Sequence, residues 1–276
     1  MILVFDIGNT ETMFGLFEAG ELLEHWRIAS DPDRTIDELG LLVRSLVRES
    51  GLRVDLVRGA AIASVVPPLL PVFTEMCTRH LGVVPAVIDA SSPLPIRVDV
   101  DEPLAVGADR IVNTLAASRL YARDTIVVDL GTATTFDCIT ADGVFLGGVI
   151  APGVRTSAES LVRRTAKLPR IDLEPPARVI GRRTESAMRS GIFYSAIETV
   201  DGIVRRIKAE WGSADALVVA TGGLATLVAP HCQTVDTIEP FLTLFGLDFA
   251  YRHLEETASG VRVTPIKRPP RGRRAQ

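Results

Sequence analysis

The sequence predicts an α/β protein made of two similar halves, on three observations. A short apolar strand running into an Asp-x-Gly turn occurs twice, at residues 2–5 before Asp6-Ile7-Gly8-Asn9-Thr10 and at residues 125–128 before Asp129-Leu130-Gly131-Thr132. In each half a later apolar strand ends on small residues before a turn, at 60–66 before Pro67-Pro68 and at 217–221 before Gly222-Gly223. Segments of helical period separate these strands, and such alternation is the pattern of an α/β class. Antiparallel hairpins open both halves, so each sheet is expected to be mixed, with the halves meeting near residues 120–125 and ligands held between them.

The elements follow in order. Residues 2–5 are rich in strand formers, Gly8-Asn9 is a hairpin signal, and a return strand is expected at 12–17. A helix is expected at 36–50, where Ile36, Leu39, Val43, Leu46 and Val47 form one stripe and Thr35-x-x-Glu38 reads as a capping box. Further helices are expected at 108–123, from Val112, Ala116 and Leu120, and at 186–210, from Met188, Ile192, Ala196, Ile203 and Ile207. Asp6 and Asp129 stand 123 positions apart, and the same offset aligns Gly8 with Gly131, Thr12 with Thr135 and Gly20 with Gly143. Two unrelated hairpins could match this well, but the later strand ends repeat too, which favours duplication. The expected division is 1–122 for the first domain, 123–256 for the second and 257–276 for a basic, proline-broken, solvated tail.

Composition narrows the function. With 276 residues, 47% hydrophobic and 23% charged, the chain has enough apolar side chain for one large or two smaller cores. A net charge of -4 provides no global positive field for nucleic acid or an anionic membrane, so a small soluble partner is expected. Lys167, Lys208 and Lys267 are the only lysines, and no Gly-Lys pair of the Walker type occurs. P-loop enzymes and protein kinases, which place a lysine on the nucleotide phosphates, are thereby excluded. Cys77, Cys138 and Cys232 form neither a disulfide framework nor a zinc pattern, and the four histidines have no metal-ligand spacing. Asp6 interrupts the first apolar run, and the longest uncharged stretch, 216–235, is broken by Gly222, Gly223, Pro230 and His231. Neither a secretory signal nor a membrane span is expected, and a cytoplasmic location fits.

The candidate chemistry lies at the strand ends. An aspartate ending a buried strand beside a tight turn can hold Mg2+, directly or through water, while the turn's backbone N–H groups can cradle phosphate. One such hairpin is as readily a structural turn. Two of them, one per half, would grip the phosphates of a nucleotide from both sides, with cations, backbone dipoles and arginine supplying the charge that a lysine supplies elsewhere. The third constellation is Gly107-Ala108-Asp109-Arg110 at the start of a helix. An aspartate there is ordinarily a cap, yet a phosphoryl acceptor needs a carboxylate near its hydroxyl, and Arg110 can grip an anionic substrate.

Through these motifs, in order, the chain resembles the type III pantothenate kinases of bacterial coenzyme A synthesis over roughly residues 1–250. The match comprises Asp6-Ile7-Gly8-Asn9-Thr10, Ser64-Val65-Val66-Pro67, Gly107 to Arg110, 128–135, 147–153, 166–169, Thr184 with Met188-Arg189-Ser190-Gly191, and Ala220-Thr221-Gly222-Gly223. The resemblance implies two duplicated ribonuclease-H-like domains of the actin-like ATPase kind around a nucleotide cleft, and a homodimer. It implies transfer of the γ-phosphoryl group of ATP to the 4′-hydroxyl of pantothenate, with Mg2+ and a monovalent cation, K+ or NH4+. ATP would be held by Asp6, Ile7, Gly8, Asn9, Thr10, Glu11, Thr12 and Met13 and by Thr132, Gly222 and Gly223. Asp109 would accept the proton, Asp129 and Asp6 would serve the metal ions, and Gly107, Ala108, Asp109, Arg110, Thr184 and the position of Val100 would contact pantothenate. Val100 stands where the family often has tyrosine, and Arg183 where asparagine commonly precedes the threonine. A kinase of the same fold acting on another small acceptor, and a family-related transcriptional accessory protein without kinase activity, are the alternatives; retention of Asp6, Asp109 and Asp129 argues against the second.

Overall fold

The computed structural model describes residues 1–259. In chain order the elements are β1 (Ile2–Ile7), β2 (Glu11–Glu18), β3 (Glu21–Ala29), α1 (Ile36–Glu49), β4 (Gly59–Ser64), α2 (Leu69–Met76), β5 (Ala86–Ile88), β6 (Arg97–Val98) and α3 (Ala108–Tyr121). They continue with β7 (Thr125–Leu130), β8 (Ala133–Ile139), β9 (Val144–Pro152), α4 (Val154–Arg164), α5 (Thr184–Trp211), β10 (Leu217–Thr221), α6 (Ala225–Val228), β11 (Thr237–Ile238) and α7 (Leu242–Ser259). Each expected strand and helix is present, with ends shifted by a few residues. Of the basic tail, residues 260–276 lie outside the described residues.

The first sheet runs β3-β2-β1-β4-β5, with β1, β2 and β3 antiparallel and β4 and β5 parallel to β1. The second runs β11-β10-β7-β8-β9-β6, and its β9-β8-β7-β10-β11 portion repeats the first in order and in sense of pairing. Duplication is therefore a property of the topology, and β6 is an addition at the β9 edge. In the first sheet Leu3, Phe5, Ile7, Phe14 and Leu16 pack with Leu39, Val43 and Val47 of α1, which opens on the expected capping box. Thr35 Oγ1 accepts from Glu38 N, and Thr35 N donates to Glu38 Oε2 at 2.9 Å. In the second, Ile126, Val128, Leu130 and Phe136 pack with Ile192, Phe193, Ile197, Val200 and Val204 of α5. Ala196, Ile203 and Ile207, expected on the buried stripe, are only partly buried beside it.

Two compact units result. The first contains Met1–Pro95, Glu102–Leu120 and the chain from Thr243; the second contains Ile96–Asp101 and Tyr121–Leu242. A single cut between residues 122 and 123 misses both exchanges. The first arises because Arg97 N and Asp99 N donate to Gly143 O (3.0 Å) and Phe145 O (2.9 Å), stitching β6 onto β9. The second arises because α7 returns to the first sheet: Phe245 meets Phe17 edge-on at 5.7 Å, and Thr243 Oγ1 donates to Asn113 Oδ1 at 2.9 Å. Burying Leu244, Leu247 and Ala250 there outweighs adjacency in sequence.

Candidate active site

In the first unit Asp6 and Ile7 end β1, with Asp6 opposite Met13 of β2 and Ala63 of β4. The intervening turn closes with Gly8 N donating to Glu11 O at 3.2 Å. Its back is held from the end of β3. Ser30 Oγ donates to Gly8 O at 2.6 Å, Thr12 Oγ1 lies 2.9 Å from Ser30 Oγ, and Ser30 N donates to Thr10 O at 3.0 Å. Thr12 is fully buried, so its hydroxyl needs this partner. Asn9, Thr10 and Glu11 are exposed.

Asp109 occupies the first turn of α3 in the same unit. Val65 N donates to Ile7 O at 3.1 Å, and a Cβ added to Gly107 would lie 3.5 Å from Val65 Cγ1 and 2.5 Å from Asp109 Oδ1. These contacts bring Asp109 to the edge of the sheet where β1 ends, and a side chain at position 107 would push the Asp109 carboxylate out of its place. Asp109 Oδ1 accepts from Arg110 N at 2.8 Å. Burial pushes the Asp109 carboxyl above its ordinary value, against the lowering effect of that hydrogen bond and of the Arg110 charge. Ala108 is buried.

In the second unit Asp129, the penultimate residue of β7, stands opposite Thr135 of β8 and Thr221 of β10. Gly222 has φ +90°, and a Cβ there would stand 2.3 Å from Asp129 Oδ1 and 2.8 Å from Leu130 N. Only glycine meets both the backbone and the steric demand. Thr132 is exposed, and its carbonyl accepts from Thr156 Oγ1 in the first turn of α4 at 2.6 Å. A Cβ on Gly153 would collide with that same carbonyl at 2.2 Å. Thr184 is exposed at the first position of α5, where Arg183 N donates to Ser186 Oγ at 3.1 Å. Val100 lies by Gly147, 3.6 Å from where its Cβ would be.

The hairpin alignment needs one correction. Phe14 stands opposite Phe5 and Phe136 opposite Val128, so Thr12 corresponds to Thr134 rather than Thr135, and the return strands match at an offset of 122. The first turn is longer by one residue, and the wider turn from β8 to β9 restores the offset of 123 at Gly20 and Gly143. Ser30, Thr156 and Val65 were not among the expected site residues. A hydroxyl just past a strand carries no mark in a sequence that distinguishes it from any other loop hydroxyl.

Asp6 and Asp129 present carboxylate oxygens, the donor type suited to Mg2+ and K+ rather than to softer metals. Among the described residues no group of three or more His, Cys, Asp or Glu side chains could enclose a metal ion. A lone carboxylate fits an ion such as Mg2+ that takes few protein ligands and keeps several waters. No helix among the described residues is long and apolar enough to cross a membrane.

Two units with the β3-β2-β1-β4-β5 arrangement define the class of duplicated ribonuclease-H-like folds, that of the actin-like ATPases. Solved structures agree with the class: component A of (R)-2-hydroxyglutaryl-CoA dehydratase from Acidaminococcus fermentans has a TM-score of 0.55 at 12% identity, covering 94% of this chain and 98% of its own. A protein from Campylobacter jejuni described as a conserved Baf family transcriptional activator has a TM-score of 0.55 at 20% identity, covering 92% and 99%. At these identities the likeness is one of fold. Residues 2–206 match the type III pantothenate kinase family. The type III pantothenate kinase of Moorella thermoacetica is 47% identical over 251 residues, 91% of this chain and 98% of the relative. The chain belongs to the type III pantothenate kinase family, and it is an ATP-dependent kinase.

Proposed function

We propose that this chain transfers the γ-phosphoryl group of ATP to the 4′-hydroxyl of pantothenate, the first step of coenzyme A biosynthesis, with Asp109 as proton acceptor. The observation that carries the reading is the Gly107–Arg110 turn. It holds a shielded carboxylate where β1 ends, with an arginine beside it, in a chain of a kinase family. Arg110 N fixes Asp109 Oδ1, so the carboxylate is oriented before substrate arrives. Because phosphoryl transfer passes through a loose transition state, Asp109 acts as much by aiming the hydroxyl as by taking its proton. Gly107, Ala108 and Arg110, with Thr184 and the surface near Val100, hold pantothenate, and Arg110 pairs with its carboxylate.

ATP is taken by residues 6–13 and by Thr132, Gly222 and Gly223. Asp6 holds Mg2+ through oxygen, and Asp129 serves K+ or NH4+. When bound, these cations neutralise triphosphate charge that a lysine would otherwise meet. The active form is a cytoplasmic homodimer. The test is ADP release in a coupled assay with Mg-ATP and K+. Turnover that depends on pantothenate, and not on a panel of sugars and short carboxylic acids, is expected; ADP release indifferent to pantothenate rejects the reading. Light scattering on the purified chain checks for the dimer.

A further inference from the structure

Each unit contains the same unassigned device at its Asp-x-Gly hairpin. In the first, Ser30 Oγ, just past β3, donates to Gly8 O at 2.6 Å. In the second, Thr156 Oγ1, just past β9 in α4, donates to Thr132 O at 2.6 Å. β3 and β9 hold the same place in the five-strand order that the two sheets share, so the two hydroxyls come from corresponding places in the duplication. They are not copies of one position, since one lies on a loop and the other on a helix.

The peptide group is planar and trans, so its C=O and the following N–H point in opposite directions. Fixing the Gly8 carbonyl therefore fixes Asn9 N–H, and fixing the Thr132 carbonyl fixes the attitude of the 132–133 peptide. A carbonyl turned toward a triphosphate would repel it, whereas a turn aimed by its N–H groups attracts it. Each clamp has a second support. Thr12, fully buried, holds Ser30 Oγ from behind at 2.9 Å, and only a glycine at 153 lets the start of α4 approach the Thr132 carbonyl.

We propose that Ser30 and Thr156 are positioning residues that lock the two hairpin peptides in the orientation that receives the ATP phosphates. The inference rests on the reading that these hairpins bind ATP. The test is steady-state kinetics and equilibrium ATP binding on Ser30→Ala, Thr156→Val and Thr156→Ser, with thermal melting alongside. Loss of one hydroxyl clamp is expected to raise the KM and Kd for ATP about three- to tenfold, the size of one ordinary hydrogen bond. The KM for pantothenate stays unchanged, and Thr156→Ser, which keeps the hydroxyl, restores ATP binding. Lower melting temperatures with ATP binding intact in both Ser30→Ala and Thr156→Val would make the hydroxyls merely structural and overturn the proposal. Asp6→Asn separates the two levels. If it weakens ATP binding while the clamp variants do not, the clamp fails and the hairpin reading stands. If it and the clamp variants all leave ATP binding unchanged, the hairpin reading fails and takes the proposal with it.

Discussion

The ends of β1 and β7 solve one problem in two ways. In the first unit the neighbour opposite Asp6 is Ala63, followed by Ser64, whose Oγ accepts from Val66 N at 3.1 Å in an ordinary turn. In the second the neighbour opposite Asp129 is Thr221, followed by Gly222 in the left-handed region with its backbone against Asp129 Oδ1. The first unit also carries α3, with Asp109, beside its strand end; its connection after β4 runs into α2, and the corresponding connection after β10 passes through Gly222-Gly223 into the short α6. Duplicated scaffolds thus specialise at the loops after their strands, where small changes cost the core nothing.

The largest expected effect comes from the element that only the first unit has. Asp109→Asn retains an Oδ1 to accept from Arg110 N, so the fold survives, but proton acceptance is lost; turnover should fall about a hundredfold or more with little change in melting temperature. An unchanged rate would remove Asp109 from the reaction. The raised Asp109 carboxyl also predicts that the acid limb of kcat/KM lies above the ordinary carboxylate range and vanishes in that variant.

A buried aspartate of the second unit sharpens the contrast. Asp201 of α5 accepts from Gln233 N (2.9 Å), Thr234 N (2.9 Å) and Thr234 Oγ1 (2.7 Å), anchoring the loop before β11. Burial raises its carboxyl, but these hydrogen bonds outweigh it and the net shift is downward. A lowered folded value means stability that is present above the unfolded value near 3.8 and lost as pH falls through the folded one. Asp109 has the opposite sign: its ionised form costs stability at neutral pH, and acidification through its raised value relieves that cost. Asp201→Asn should destabilise by about 2–3 kcal/mol at pH 7, the loss shrinking at acid pH, measured by denaturant melts.

Exchange of the two turn solutions comes next. Gly222→Ala puts a Cβ on Asp129 Oδ1 and forces a left-handed alanine, which should cost about 2 kcal/mol and ATP turnover together. Ser64→Ala at the corresponding position should cost about 1 kcal/mol and leave turnover near normal. Equal effects would erase the distinction between the units. Smallest of all, Arg27→Ala breaks the exposed pair with Glu11 at 3.3 Å, and a melt should register no more than about 0.5 kcal/mol.

Much of this was legible in the chain itself. Periodicity, the Thr35 cap and the paired Asp-x-Gly turns identified β1, β2, β4, β7, β8 and β10, the helices α1, α3 and α5 and the duplication, because each is a local pattern with a local cause, while β3, β5, β6, β9 and β11 escaped. The motif order identified the family, and the contacts of Gly107 with Asp109 and of Gly222 with Asp129 give a steric reason for the glycines in those motifs. The one-residue difference between hairpins escaped, because a turn's length shows only when cross-strand partners are known.

Residue order alone determined which side chains could do chemistry: acids at strand ends, no lysine for phosphate, an arginine beside Asp109. Tertiary structure alone decided that α7 closes the first sheet, that β6 joins the second, and that Ser30 and Thr156 reach the hairpin carbonyls. Spacing along the chain encodes faces of helices and strands, whereas a contact between a hydroxyl and a carbonyl about 20 positions away is settled by how whole elements pack.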